Sequence, residues 1–361
     1  MTRQRSIALA LAASMLALAS CSRSQTPASS SARSSNPAAA EPAVADFYRG
    51  KTVRLIVGFS PGGGYDTYTR LIARYLGTYI PGNPNVIVEN LPGAGSIIAA
   101  NQTYNSLPKD GTVVANIGGP LVTEQLFQTD GVEYDASKFW YLAVPVKETY
   151  VLIVHSRTGI TKLDDVTGPN AKTLVLAGIP NSAVEQGAYM MREALGANIR
   201  VVSGYEGTAP VRLAIDSGEV DGFVNSWQSV KLTNLDDVKD GTWTVLADIN
   251  DHPTKDLPFP APTINDIGKT DEMRQLIKLG ILYPNQFGKV YVAAPEVPAD
   301  RAAALQEAFR QTFADKGFLA EAESARLEID PFFGDDIKKL VLEMLATPDD
   351  LRARLKAIIK P

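Results

Sequence analysis

Two short stretches of the chain carry residues whose types and spacing could do chemistry. Ser60-Pro61-Gly62-Gly63-Gly64-Tyr65-Asp66 sets three successive glycines ahead of Thr67, where the pattern predicts a helix to begin. Bare backbone N–H groups at the positive end of a helix form a site for an anion. Asn90-Leu91-Pro92-Gly93-Ala94-Gly95-Ser96 repeats the arrangement at the end of the next expected strand. Neither loop contains lysine or arginine, so a bound carboxylate would be held mainly by the amides of Gly62 to Thr67 and Gly93 to Ser96. A structural reading stays open beside this one, in which the glycines only make tight turns and Asp66 caps the helix. Asp66 is expected to cap in either case, because its charge repels a carboxylate, although it could accept from a ligand hydroxyl, amine or water.

Other chemistries find little support. Neither loop ends in Gly-Lys-Ser/Thr, and Ile98 stands where a dinucleotide loop has its third glycine, so no nucleotide cofactor is expected. The two histidines, His155 after an apolar run and His252 before Pro253, sit in no recognisable Ser, Cys or metal setting. No Gly-x-Ser-x-Gly elbow occurs. The acidic pairs Asp164-Asp165, Asp236-Asp237 and Asp335-Asp336 are neighbours in sequence and read as solvated. No catalytic residue, no metal site and no cofactor are expected.

The elements that must position these loops follow from periodicity. Val53 to Phe59 is β-rich, and Tyr68, Leu71, Ile72, Tyr75, Leu76 and Tyr79 recur at the spacing of one buried helix face. Val86 to Glu89 and a helix from Ser96 to Asn105 repeat the unit, and Val113 to Ile117 adds a strand. A second set of units spans Leu174 to Val224, with Ser182 and Glu185 as a capping box and Gly196 as a helix stop. Strands alternating with helices predict an α/β fold with mostly parallel sheets. We read two α/β lobes, the first from 46–153 plus 245–361 and the second from 154–244, with crossings near Tyr150 to Val154 and Thr244 to Asp248.

The N-terminus describes export. Arg3 and Arg5 precede an apolar run from Ile7 to Leu18, too short to span a bilayer, and Leu18-Ala19-Ser20-Cys21 follows. The tetrad resembles a bacterial lipobox, which implies cleavage of residues 1–20 and lipidation of Cys21, the sole cysteine. That thiol can make neither an internal disulfide nor a multi-cysteine metal site. Residues 21–45, dominated by Ser, Ala and Pro, are expected to be a flexible tether, with globular sequence from Asp46. Without Arg3 and Arg5 the net charge is about −7, which argues against a nucleic-acid partner.

With both glycine loops in view, the sequence resembles the substrate-binding receptors of tripartite tricarboxylate transporters, the Bug-type receptors. The match runs from Phe47-Tyr48-Arg49-Gly50-Lys51 through Ile56 to Asp66 and Glu89 to Gly95, then Pro108-Lys109-Asp110-Gly111-Thr112. Tyr205-Glu206-Gly207-Thr208-Ala209-Pro210, Gly218-Glu219-Val220-Asp221 and Leu257 to Thr263 follow in family order. The resemblance implies a type II periplasmic-binding fold whose lobes close on a carboxylate ligand and hand it to membrane permease subunits. It adds Asn181, Ser182, Tyr205, Gly207 and Thr208 of the second lobe to Ser60, Gly62, Gly63, Gly64, Tyr65, Asp66, Thr67, Gly93, Ala94, Gly95 and Ser96 of the first. Two departures stand out: Ile179-Pro180-Asn181 replaces a Gly-Ser-Gly-Ser type loop, and Glu206 occupies a common lysine position. The expected protein is a monomeric, lipid-anchored extracytoplasmic receptor for a di-, tricarboxylate or aromatic acid, and not an enzyme. An interaction or sensing lipoprotein without a transport role is the alternative.

Overall fold

The computed structural model describes residues 37–361. The expected signal peptide, Cys21 and the tether up to residue 36 lie outside the described residues. Eleven strands are described: β1 (Thr52–Val57), β2 (Asn85–Asn90), β3 (Val113–Gly118), β4 (Trp140–Val144), β5 (Tyr150–His155), β6 (Leu174–Gly178), β7 (Ile199–Ser203), β8 (Gly222–Ser226), β9 (Trp243–Asp248), β10 (Lys289–Ala293) and β11 (Phe332–Phe333). They form two sheets, ordered β11-β4-β10-β3-β1-β2 and β7-β6-β8-β5-β9, each the centre of one lobe.

Both sheets are mixed, whereas mostly parallel ones were expected. β1 pairs parallel with β2 and β3, but β10 runs antiparallel to β3 and β4. In the second sheet β6 is parallel to β7 and β8, and β5 is antiparallel to β8 and β9. The reason is the route of the chain. Strands of βα units run toward the cleft and end there, while β5 and β10 each enter a lobe from the other one and so run away from it.

Side-chain alternation along each strand feeds two layers. Val53 and Leu55 of β1 pack with Leu71, Ile72 and Leu76 of helix Gly64–Tyr79, while Ile56 faces Ile97, Ala115 and Val290 on the opposite side. In the second lobe Leu152 and Val154 of β5 point one way and Val151 and Ile153 the other. Tyr75 and Tyr79 are only half-buried, with the Tyr75 hydroxyl donating to Glu321 Oε2 at 2.8 Å.

Two expected boundaries move. The tether does not reach residue 45, because helix Pro37–Tyr48 places Val44 and Tyr48, one turn apart, in the first core. Alanine-rich sequence is poor in large apolar groups yet favours helix, and these two side chains suffice to dock it. The second lobe is also wider than 154–244. Its sheet takes in all of β5 and β9, and its core adds Ile264, Ile267, Leu276, Ile277 and Ile281, and finally Leu355, Ile358 and Ile359 of helix Asp349–Ile359. Periodicity identifies a buried face but not the sheet that buries it.

Candidate functional site

Register brings the loops together. Val57 pairs with both Asn90 and Asn116, so β1, β2 and β3 end side by side and their following loops adjoin. Gly178 pairs with Ser203, which sets the loop after β6 beside the loop after β7. These two groups of loops face each other and enclose a cleft whose space for the centre of a water molecule is about 30 Å³. That is room for one or two waters.

Four helices begin at this cleft: Gly64–Tyr79, Ala183–Leu195, Thr208–Ser217 and Trp227–Lys239, with Gly63, Gly64, Ser182, Thr208, Ser226 and Ser229 among the lining residues. In the first, Thr67 N donates to Gly63 O at 3.0 Å as the opening turn, which leaves the preceding amides without an intrahelical acceptor. Phe59, Tyr65, Tyr150 and Ile179 supply the apolar wall. No lysine, arginine or histidine side chain lines it among the described residues.

The expected site residues divide into three groups. Ser60, Gly63, Gly64, Tyr65, Ser182 and Thr208 line the cleft. Tyr65 packs its ring 4.2 Å from that of Phe59 and donates its hydroxyl to Gly288 O, and burial, followed by the Glu148 carboxylate, pushes its phenol well up, so it stays protonated. Ser182 caps its helix by accepting from Val184 N at 3.2 Å, while Glu185 reaches back to Asn181 N at 2.9 Å, one residue short of a closed capping box.

A second group, Gly62, Gly93, Ala94, Gly95, Ser96, Asn181 and Gly207, does not line the cleft and lies at or just behind the contacts between the lobes. Ser60 N donates to Glu206 O at 3.2 Å and Arg212 donates to Gly62 O at 3.1 Å. Gly207 lies against Ser60, and Gly95 lies against the Pro180–Asn181 backbone. Lys360 reaches from the C-terminus to Asn181 Oδ1 and to Glu124 at 2.9 Å. Gly93 and Ala94 shape the turn that presents Gly95, and Ser96 Oγ accepts from Gly118 N at 2.9 Å.

The third group faces elsewhere. Thr67 donates its hydroxyl to Gly63 O at 3.0 Å, and Tyr205 donates to Glu219 at 2.6 Å. Asp66 is not the N-cap, which is Gly63; it is the third helical residue and reaches back to Gly62 N at 2.9 Å. Arg70 and Asn90 Nδ2, each at 2.9 Å, occupy the rest of its carboxylate. Burial pushes this carboxyl up, but Arg70, the Gly62 amide and Asn90 outweigh burial and hold it below the usual range. A lowered folded pKa means its stabilisation is complete above the ordinary carboxylate range and is lost as pH falls through the folded value. Asp66→Asn is therefore expected to flatten the acid limb of a stability-against-pH curve measured by urea unfolding, and an unchanged limb would remove Asp66 from this role.

Sequence reasoning missed Glu148, which lines the cleft, and Lys289, its buried ion-pair partner. Neither lies in a motif, and only Lys289 at the start of an apolar strand carried a signal. No group of three or more His, Cys, Asp or Glu side chains that could hold a metal occurs among the described residues. His155 accepts from Arg157 N at 3.1 Å and His252 is exposed, so neither meets the cleft. No described helix is long and apolar enough to cross a membrane.

Comparison with known proteins agrees with this geometry. BugT of Bordetella pertussis is 25% identical over 238 residues, which cover 63% of this chain and 69% of that protein. The solved periplasmic binding protein BugD superposes with a TM-score of 0.70 at 19% identity, covering 87% of this chain and 99% of its own. The malate-bound MatC protein of Rhodopseudomonas palustris does so with 0.65 at 17% identity, covering 86% and 99%. Residues 78–340 match the family described as tripartite tricarboxylate transporter family receptor. A match over that much of a two-lobed fold, with a cleft built of helix starts, makes the chain a member of this family of non-enzymatic solute-binding receptors.

Proposed function

We propose that this receptor captures a small carboxylate between its lobes, on the extracytoplasmic side of a bacterial membrane, and delivers it to the permease subunits of a tripartite tricarboxylate-type transporter. The observation that carries the reading is the convergence of four helix N-termini on a cleft with no basic lining side chain. Each helix start offers amides and partial positive charge to an anion. A hydrogen bond to a charged group contributes about 1.5–3 kcal/mol, so a few neutral donors suffice for reversible capture. Within the Gly62 to Thr67 stretch, Gly63 to Tyr65 supply the first-lobe amides, since the Gly62 and Thr67 amides donate to Asp66 and Gly63 O; Ser60 and Thr208 supply hydroxyls, Ser182 holds the helix start of the second lobe, and Gly93 to Ser96 serve closure. The relative solved with malate supports a carboxylate as the ligand class.

The test is a thermal-shift screen of the purified chain against mono-, di- and tricarboxylates. A ligand at 100 times its Kd is expected to stabilise by about 2.7 kcal/mol. No shift with any acid would favour an interaction lipoprotein over a transport receptor. We further propose that Cys21 is the lipidated N-terminus of a monomer. Cys21→Ser is expected to move the protein from the membrane to the soluble fraction, and an intact, unacylated Cys21 in mass spectrometry of membrane-purified protein would refute the anchor.

A further inference from the structure

The cleft contains one group that carboxylate capture alone does not use. Glu148 lines it at 6% exposure, between β4 and β5, where the chain crosses from the first lobe to the second. One carboxylate oxygen is held by Lys289 Nζ of β10. The other, Oε2, is buried without a hydrogen-bond partner. Gly288, whose carbonyl accepts from Tyr65, is the residue next to it, and a side chain at 288 would take the space around Oε2. Ser60 Oγ, also lining the cleft, is a second buried oxygen without a partner.

An ionised carboxylate oxygen only accepts, so its partner must be a donor. Buried polar atoms in native proteins are matched, and one left over in a binding cleft marks where a bound molecule supplies the match. Lys289 neutralises the charge of Glu148 without covering Oε2, so a neutral hydroxyl serves as well as an ammonium. The second carboxylate of a plain diacid would instead set acceptor against acceptor.

We infer that Glu148 is the specificity-determining residue of the cleft and selects acids that carry a hydroxyl or ammonium donor beside the carboxylate over donorless acids of the same length. The inference rests on the carboxylate reading of the cleft. Helix starts hold the carboxylate, and Glu148 Oε2 accepts from the donor.

The test is calorimetry on the purified full chain with two matched series: succinate, malate and aspartate, and glutarate, 2-hydroxyglutarate and glutamate. At least one donor-bearing acid is expected to bind about tenfold or more tightly than its donorless parent, the worth of one hydrogen bond to a charged group. Glu148→Gln is expected to reduce that preference to within about threefold, since an amide no longer offers an acceptor-only oxygen pair. Because Gln leaves Lys289 buried without a counter-ion, Glu148→Gln/Lys289→Met is measured alongside, with circular dichroism confirming the fold. Equal binding within both series overturns the inference and leaves the carboxylate reading standing. So does a preference that survives in either folded variant. Binding by no acid of either series overturns the inference, whereas the carboxylate reading falls only if the wider screen of mono-, di- and tricarboxylates is also negative.

Discussion

Gly95→Ala is expected to bind its acid on the order of 100-fold more weakly than the native chain, about 2.7 kcal/mol. A Cβ at this position would lie 2.5 Å from Pro180 O and 2.6 Å from Asn181 C, and those atoms are backbone of the opposite lobe. Backbone on both sides cannot yield as the tip of a flexible side chain can. The lobes must then stop short of the arrangement in which the four helix starts surround the ligand. Affinity falls with the fraction of molecules able to reach the closed state. The residue also sits at φ +63°, where a side chain adds strain of about 1–2 kcal/mol whatever its neighbours. Gly241→Ala separates the two effects, since Gly241 has φ +83° but no atom within 4 Å of a built Cβ. Calorimetry on both variants decides the matter: native affinity in Gly95→Ala, or an equal loss in Gly241→Ala, would show that closure does not pass through this contact.

Lys289→Met is expected to destabilise the folded chain by roughly 3–5 kcal/mol, the usual cost of leaving one member of a buried ion pair alone. Lys289 is fully buried and Glu148 nearly so, with side-chain exposures of 0% and 1%. Nearby phenols offer no compensation, because Tyr65 already donates to Gly288 O and Tyr68 to Glu328 O. At about 2–4 °C per kcal/mol for a chain of this order, the unfolding midpoint should drop by on the order of 10 °C. Removing both charges with Glu148→Gln/Lys289→Met should recover much of the loss, since two neutral groups leave no uncompensated charge. Thermal unfolding of the native chain, the single variant and the double variant measures this directly. A double variant no more stable than the single one would mean that the pair is not the source of the effect.

What the sequence could determine was local. The Ser60 to Asp66 loop, the helix it opens and the strand before it lie within one short stretch, and their pattern of glycines and apolar spacing predicts the glycine turn between β1 and the helix start. The same holds for Ser182 as a helix cap and for Thr208 as a helix start, both of which meet the cleft. The presence of two α/β lobes was legible for the same reason, since strand and helix periodicities are properties of segments.

Only the tertiary structure decided what those segments face. Glu148 and Lys289 are 141 residues apart and meet because β10 returns from the second lobe into the first sheet. The Gly93 to Ser96 loop carries the same local signal as the first glycine loop, yet its neighbours turn it into a lobe contact against Pro180 and Asn181. Tyr205 lies in a family-like turn but spends its hydroxyl on Glu219, and the C-terminal helix completes the second lobe although it follows elements of the first. A residue's type and its neighbours along the chain determine which interactions it can make. The packing of distant strands and the approach of two lobes determine which of those partners comes within reach, and no local periodicity encodes that distance.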